Sequence, residues 1–194
     1  VWQGVDMAQL EALIAPLAIP PRSPALHGLW VRLLTDRGQP PAGGKGPNHF
    51  AALQMEGLYR SGLIDQMSQR LGPEAGDDPL LNGFRIRRDL ASGDNVGACA
   101  GAKTLATKRQ GLPKLLVGEI HLLNGYCAGA DGNYAAAGLA AELAREEEVQ
   151  AGTALQALDA LALMQPGAKG AKPPKIAFPE KLLVQGYYTF QSGV

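Results

Sequence analysis

The chain carries no excess charge of either sign. Its Lys+Arg count of 18 is balanced by an Asp+Glu count of 18, so no overall basic field invites nucleic acid or an anionic membrane surface, and any charge-driven contact must be local. It has no apolar run of the roughly 18 to 20 residues that a membrane crossing needs, although hydrophobic residues make up 46% of its 194 positions. That length is enough for one sizeable core, or a short stack of helical units, without metal or disulfide staples. There are two cysteines and three histidines, with no Cys-x-x-Cys and no histidine pair at helical spacing, so no metal site is expected. His27 and His121 fall inside helical runs and His49 follows a cap position. Glu119 and His121 are two apart, which on a helix turns them about 200° away from each other and argues against a shared acid-base site. Gly-x-Ser-x-Gly is absent, as is a dinucleotide Gly-x-Gly-x-x-Gly following a strand. Gly43-Gly44-Lys45-Gly46 has the look of a phosphate loop, but position 39 is Gln, Gly46 follows Lys45 where Ser or Thr is required, and no strand precedes it. No catalytic residue, metal ligand or cofactor is therefore expected, and the protein is read as non-enzymatic.

What the sequence does contain is helical punctuation. Asp6 caps a first amphipathic run with Leu10, Leu13, Ile14 and Leu17, which Ile19-Pro20-Pro21 stops. Ser23-Pro24 opens a second helix with proline at its first position, carrying Leu26, Leu29, Trp30, Leu33 and Leu34 on one apolar face. Residues 37–47, rich in Gly and Pro, form a surface loop. Then come units of helix, glycine turn, helix: from about Asn48 to Leu71 turning at Gly62, from Asp78-Pro79 turning at Gly93-Asp94, and a third turning at Gly132-Asn133. The clearest stretch is Asn124 to Ala137, where a Gly-Asn-Tyr turn is followed by small residues that let two antiparallel helices approach closely. A last helix is expected from Thr153 to Met164, with Leu155, Leu158, Leu161 and Ala162 on one side. The expected division is an N-terminal helical hairpin (1–36), the loop (37–47), an all-α domain of degenerate two-helix repeats (48–165), and a linker and irregular tail (166–194). The tail, with Tyr187, Tyr188 and Phe190, has a β-favouring composition.

On these residues the chain resembles the tetratricopeptide repeat. The inter-helix Gly-x-Tyr of that family is matched by Gly132 and Tyr134, its small residues by Ala137, Ala144 and Gly125, while Gly93 and Ala98 match in the second unit and Gly62 and Pro79 in the first. His121 stands where the family places a large aromatic, and the turn glycines are unevenly spaced. The resemblance spans about residues 48–164 and implies an α-solenoid that binds other proteins. More loosely, Leu29-Trp30, Arg32-Leu33-Leu34, Gly93-Asp94 to Cys99, and Tyr126-Cys127 resemble an uncharacterised group of alphaproteobacterial envelope proteins, which implies a periplasmic location. The cytoplasm is the alternative. The opening Val1-Trp2-Gln3-Gly4 is what a removed signal peptide, a trimmed chain or a fragment would leave.

Cys99 and Cys127 fall on neighbouring helices if the helices pack in order, where a disulfide would join adjacent units. A mirror about the loop near residue 110 places Cys99 about five residues, roughly 7 Å, short of Cys127, and the alternatives are two buried free thiols or a reactive or metal-bound cysteine. Arg85, Arg87 and Arg88, with Lys103, Lys108, Arg109 and Lys114, are a candidate partner-binding surface, and Glu142 with Glu146 to Glu148 an acidic one. A solvated face with local ion pairs is the competing explanation. The function expected is a scaffold or assembly component binding other proteins through its helical surface. The alternative is a helical enzyme or small-ligand domain whose site is scattered in sequence.

Overall fold

Of the 194 residues, a computed structural model describes 2, 4–72, 76–149 and 152–163. These form nine helices and no strand: α1 (Met7–Ile14), α2 (Pro24–Thr35), α3 (His49–Arg60), α4 (Ile64–Leu71), α5 (Pro79–Ser92), α6 (Asn95–Thr107), α7 (Lys114–Ala130), α8 (Tyr134–Glu146) and α9 (Gly152–Leu163). The linker and β-favouring tail expected over 166–194 lie outside the described residues, as does Met164. No described helix is long and apolar enough to cross a membrane.

The helix ends follow from local chemistry. Asp6 Oδ1 accepts from the Ala8 amide at 2.8 Å and Asp78 Oδ1 from the Leu81 amide at 3.1 Å, each satisfying an orphan donor of a first turn. Pro24 and Pro79 occupy first-turn positions, where the missing N–H costs nothing. Gly62, Gly93 and Gly132 close the three expected turns at φ +71°, +81° and +78°, and nothing lies within 4 Å of where a Cβ would sit. Backbone handedness alone calls for glycine there.

The chain divides into two compact units between Asp94 and Asn95, so the turn at Gly93 stands at the boundary and α5 and α6 belong to different units. In the first unit α3 packs against α2, α4 and α5. Every residue from Ala52 to Leu58 is buried, so the helix is enclosed on all sides and its polar Gln54 and Glu56 must find partners inside. Trp2 meets Phe50 edge-on with ring centroids 5.3 Å apart. α2 approaches α3 closely at Gly57, where a Cβ would come within 2.6 Å of Leu34 Cδ2. That contact orients α2. Trp30 and Leu34 turn inward, with the Trp30 indole donating to Ser61 Oγ at 2.9 Å, while Leu26 and Leu29 are left 56% and 54% exposed. The single apolar face expected for α2 is thus divided, half in the core and half on the surface.

In the second unit α7 is the central element, touching α6, α8 and α9. Gly118, Gly125 and Gly129 share one of its faces. They meet, antiparallel, Glu147 and Val149, then Ala140, then Ala137, with Leu158 and Leu161 of α9 also pressed against the last two glycines. Ala137, Ala141 and Leu158 form the buried cluster there, with Leu122, Leu155 and Leu161 packed around it. Here glycine is needed for space: a Cβ at Gly125 would lie 2.8 Å from both Ala140 Cβ and Leu158 Cδ1. The structure joins Cys99 of α6 to Cys127 of α7 in a disulfide, with their Cα atoms 5.9 Å apart. This sets α7 more than a helical turn along α6 from the mirrored register.

Candidate functional site

A cavity of about 390 Å³ opens in the first unit between the loop after α2, the start of α3 and the end of α4. Its apolar lining includes Phe50, Met55, Leu71 and Leu81, and its polar lining Arg37, Asn48, Gln69 and Arg70. Two hydrogen-bonded bridges hold these walls. Gln54, 1% exposed, donates through Nε2 to the Asp36 carbonyl at 2.8 Å and to the Leu33 carbonyl at 3.4 Å, satisfying acceptors that α2 leaves orphaned at its C-terminus. The same carboxamide accepts from Arg70 Nη2 at 3.1 Å. Asn48 Nδ2 donates at 2.8 Å to Asp78 Oδ2, the oxygen of that carboxylate not used in capping α5. The entrance of α3, the exit of α2, the last turn of α4 and the cap of α5 are thereby fixed relative to one another.

Beside the cavity, His49 uses both ring nitrogens to tie elements together. The Lys45 amide donates to its Nδ1 at 3.0 Å, so the proton resides on Nε2, which donates to Glu11 Oε1 at 2.8 Å. Both ring nitrogens are committed, and the pair fastens the 37–47 loop and α3 to α1. The Gly-rich loop is further pinned by the Met7 amide, which donates to the Ala42 carbonyl at 2.8 Å.

The expected partner-binding arginines separate. Arg87 is 3% exposed and points inward, so its role as a surface contact is corrected: it pairs with the buried Glu56 at 3.5 Å and lies 5.0 Å from the ring centroids of Tyr59 and Phe84. Its position on α5 faces α3, and the two aromatic faces accept the cation that local spacing assigned to solvent. Arg85 donates to the carbonyls of Gly76 and Gly72 and to Asn82 Oδ1, and Arg88 pairs with Asp89 at 2.6 Å. Both brace local structure. In the second unit Arg145 of α8 pairs with Glu142 and with Asp159 of α9. His121 is buried, and burial first, then the Arg109 charge, hold it below its ordinary value of 6.5 against the opposing pull of Glu147 and Glu146. Among the described residues no group of three or more His, Cys, Asp or Glu is placed to hold a metal ion.

Sequence reasoning missed Glu11, Gln54, Arg37 and Arg70. No local pattern marks them, because the bridges of Glu11, Gln54 and Arg70 join positions 16 to 38 apart, and Arg37 belongs to the site as a lining residue of the cavity. No protein-family model, curated protein or solved structure matches the chain.

Proposed function

We propose that the protein is a non-enzymatic scaffold or assembly component that binds another protein through its helical surface, its helices stacked as degenerate tetratricopeptide-like repeats. One observation carries this reading: Leu26 and Leu29, a turn apart on α2, stand more than half exposed while Trp30 and Leu34 of the same helix fill the core. Single exposed leucines are ordinary, but an apolar stripe continuing from core to surface leaves hydrophobic area that a partner would cover. The all-helical architecture is compatible with it. The pairing of Cys99 with Cys127 favours an oxidising compartment, in keeping with a bacterial envelope protein.

The test is cross-linking and pull-down from native cells with Leu26→Gln/Leu29→Gln, using Val96→Gln, at an 83% exposed position, as control. Loss of the same partner in the double variant alone, with circular dichroism unchanged, is expected. Equal recovery of every partner by both variants would remove the leucine edge from the interface. Alkylation of protein taken directly from the cell tests the compartment, since two reactive thiols would argue for the cytoplasm.

A further inference from the structure

We infer that the cavity of the first unit is a binding site for a small amphiphilic carboxylate, an anionic head on an apolar tail. Charge, convergence and lining all point the same way. The described lining residues include two arginines and no acidic residue. Arg37 is exposed and follows Asp36, whose carbonyl accepts from Gln54, and Arg70 is hydrogen-bonded to the other end of the same carboxamide. Gln54 therefore holds the Arg70 guanidinium beside the backbone that leads into Arg37, and both arginines line the cavity. A guanidinium held in place presents a planar donor fork that suits a carboxylate, and holding it beforehand lowers the ordering cost of binding.

The apolar lining selects the tail. Phe50, Met55, Leu71 and Leu81 offer a floor already shielded from water, on which an apolar chain or ring loses contact with solvent without disturbing the core. At about 390 Å³ the space suits a ligand of modest size, at the small end of the range for small-molecule sites, and it is too small for a folded partner. The donor-rich rim and the absence of an acidic side chain among the described lining residues disfavour a cation. A purely hydrophilic anion would leave the apolar floor unused.

The probe is 4-phenylbutyrate, titrated into the full chain by calorimetry, beside 4-phenylbutanol, which has the tail without the charge, and inorganic phosphate, which has charge without the tail. Saturable one-site binding of the carboxylate is expected, with the alcohol at least about tenfold weaker, the scale of one lost charge-assisted hydrogen bond, and phosphate at least about tenfold weaker through loss of the buried tail. Arg37→Met, at an exposed position that the fold does not need, should weaken the carboxylate by about tenfold and leave the alcohol unaffected. Ala51→Trp, which places an indole in the cavity, should abolish binding, with thermal melts checking that both variants fold. Equal affinity for acid and alcohol would overturn the anionic head, and tight phosphate binding would overturn the tail. No saturable binding of the carboxylate, or binding unaltered by both variants, would overturn the site.

Discussion

α3 in the first unit and α7 in the second are each the hub of three neighbouring helices, yet they are buried by opposite means. α3 carries polar side chains inward and satisfies them: Gln54 bridges α2 to Arg70, and Glu56 meets Arg87 of α5. α7 removes side chains altogether, presenting Gly125 and Gly129 to α8 and α9 and Gly118 to the segment between them. An interface made of matched polar partners is sensitive to losing an atom, because the group left behind is stranded in a low-dielectric interior. An interface made by close approach is sensitive to gaining one, because interiors are already packed to crystal density.

The largest test of this contrast is Glu56→Gln. The change keeps the shape but leaves the Arg87 charge buried, and it should cost the first unit about 3–5 kcal/mol in urea unfolding. Glu56→Leu/Arg87→Met together should recover most of that loss. A cost below about 1 kcal/mol for the single variant would mean that the pair does not organise α3. Next comes replacement of Cys99 and Cys127 by Ala. Opening a 28-residue separation should cost the second unit about 3.5 kcal/mol in the chain-entropy model, measured by thermal melting with and without reductant.

Two glycine substitutions sharpen the comparison further. Gly125→Ala should destabilise the second unit by about 1–3 kcal/mol through overpacking. Gly62→Ala should cost only about 1–2 kcal/mol through its left-handed φ. Asparagine, which tolerates that conformation, should relieve the cost at Gly62 and worsen it at Gly125. Equal responses at the two sites would erase the distinction between glycine for handedness and glycine for space. The smallest effect is that of pH on the second unit. Because the folded chain holds His121 below 6.5, the unfolded chain binds the extra proton first as pH falls. The stability associated with neutral His121 is therefore complete above about 6.5 and lost as pH falls through the window below it, to the depressed folded value. Melting temperature followed across that window should fall, and His121→Gln should flatten the profile.

Local sequence by itself determined where helices begin and turn. Asp6 and Asp78 cap them, Pro24 and Pro79 enter them, and Gly62, Gly93 and Gly132 reverse them, because each acts on backbone groups within a few residues. It also indicated that Cys99 and Cys127 would be on neighbouring helices, but not the stagger that brings their Cα atoms to 5.9 Å. Which half of the α2 stripe is buried, whether Arg87 faces solvent or Glu56, and how Arg37 and Arg70 come to share a cavity were decided only by tertiary structure. Each depends on how one helix is rotated against another. Helical periodicity gives every amphipathic helix an apolar side, but the angle at which that side meets its neighbour is set by contacts such as Gly57 with Leu34, whose partners are distant in the chain and leave no periodic trace.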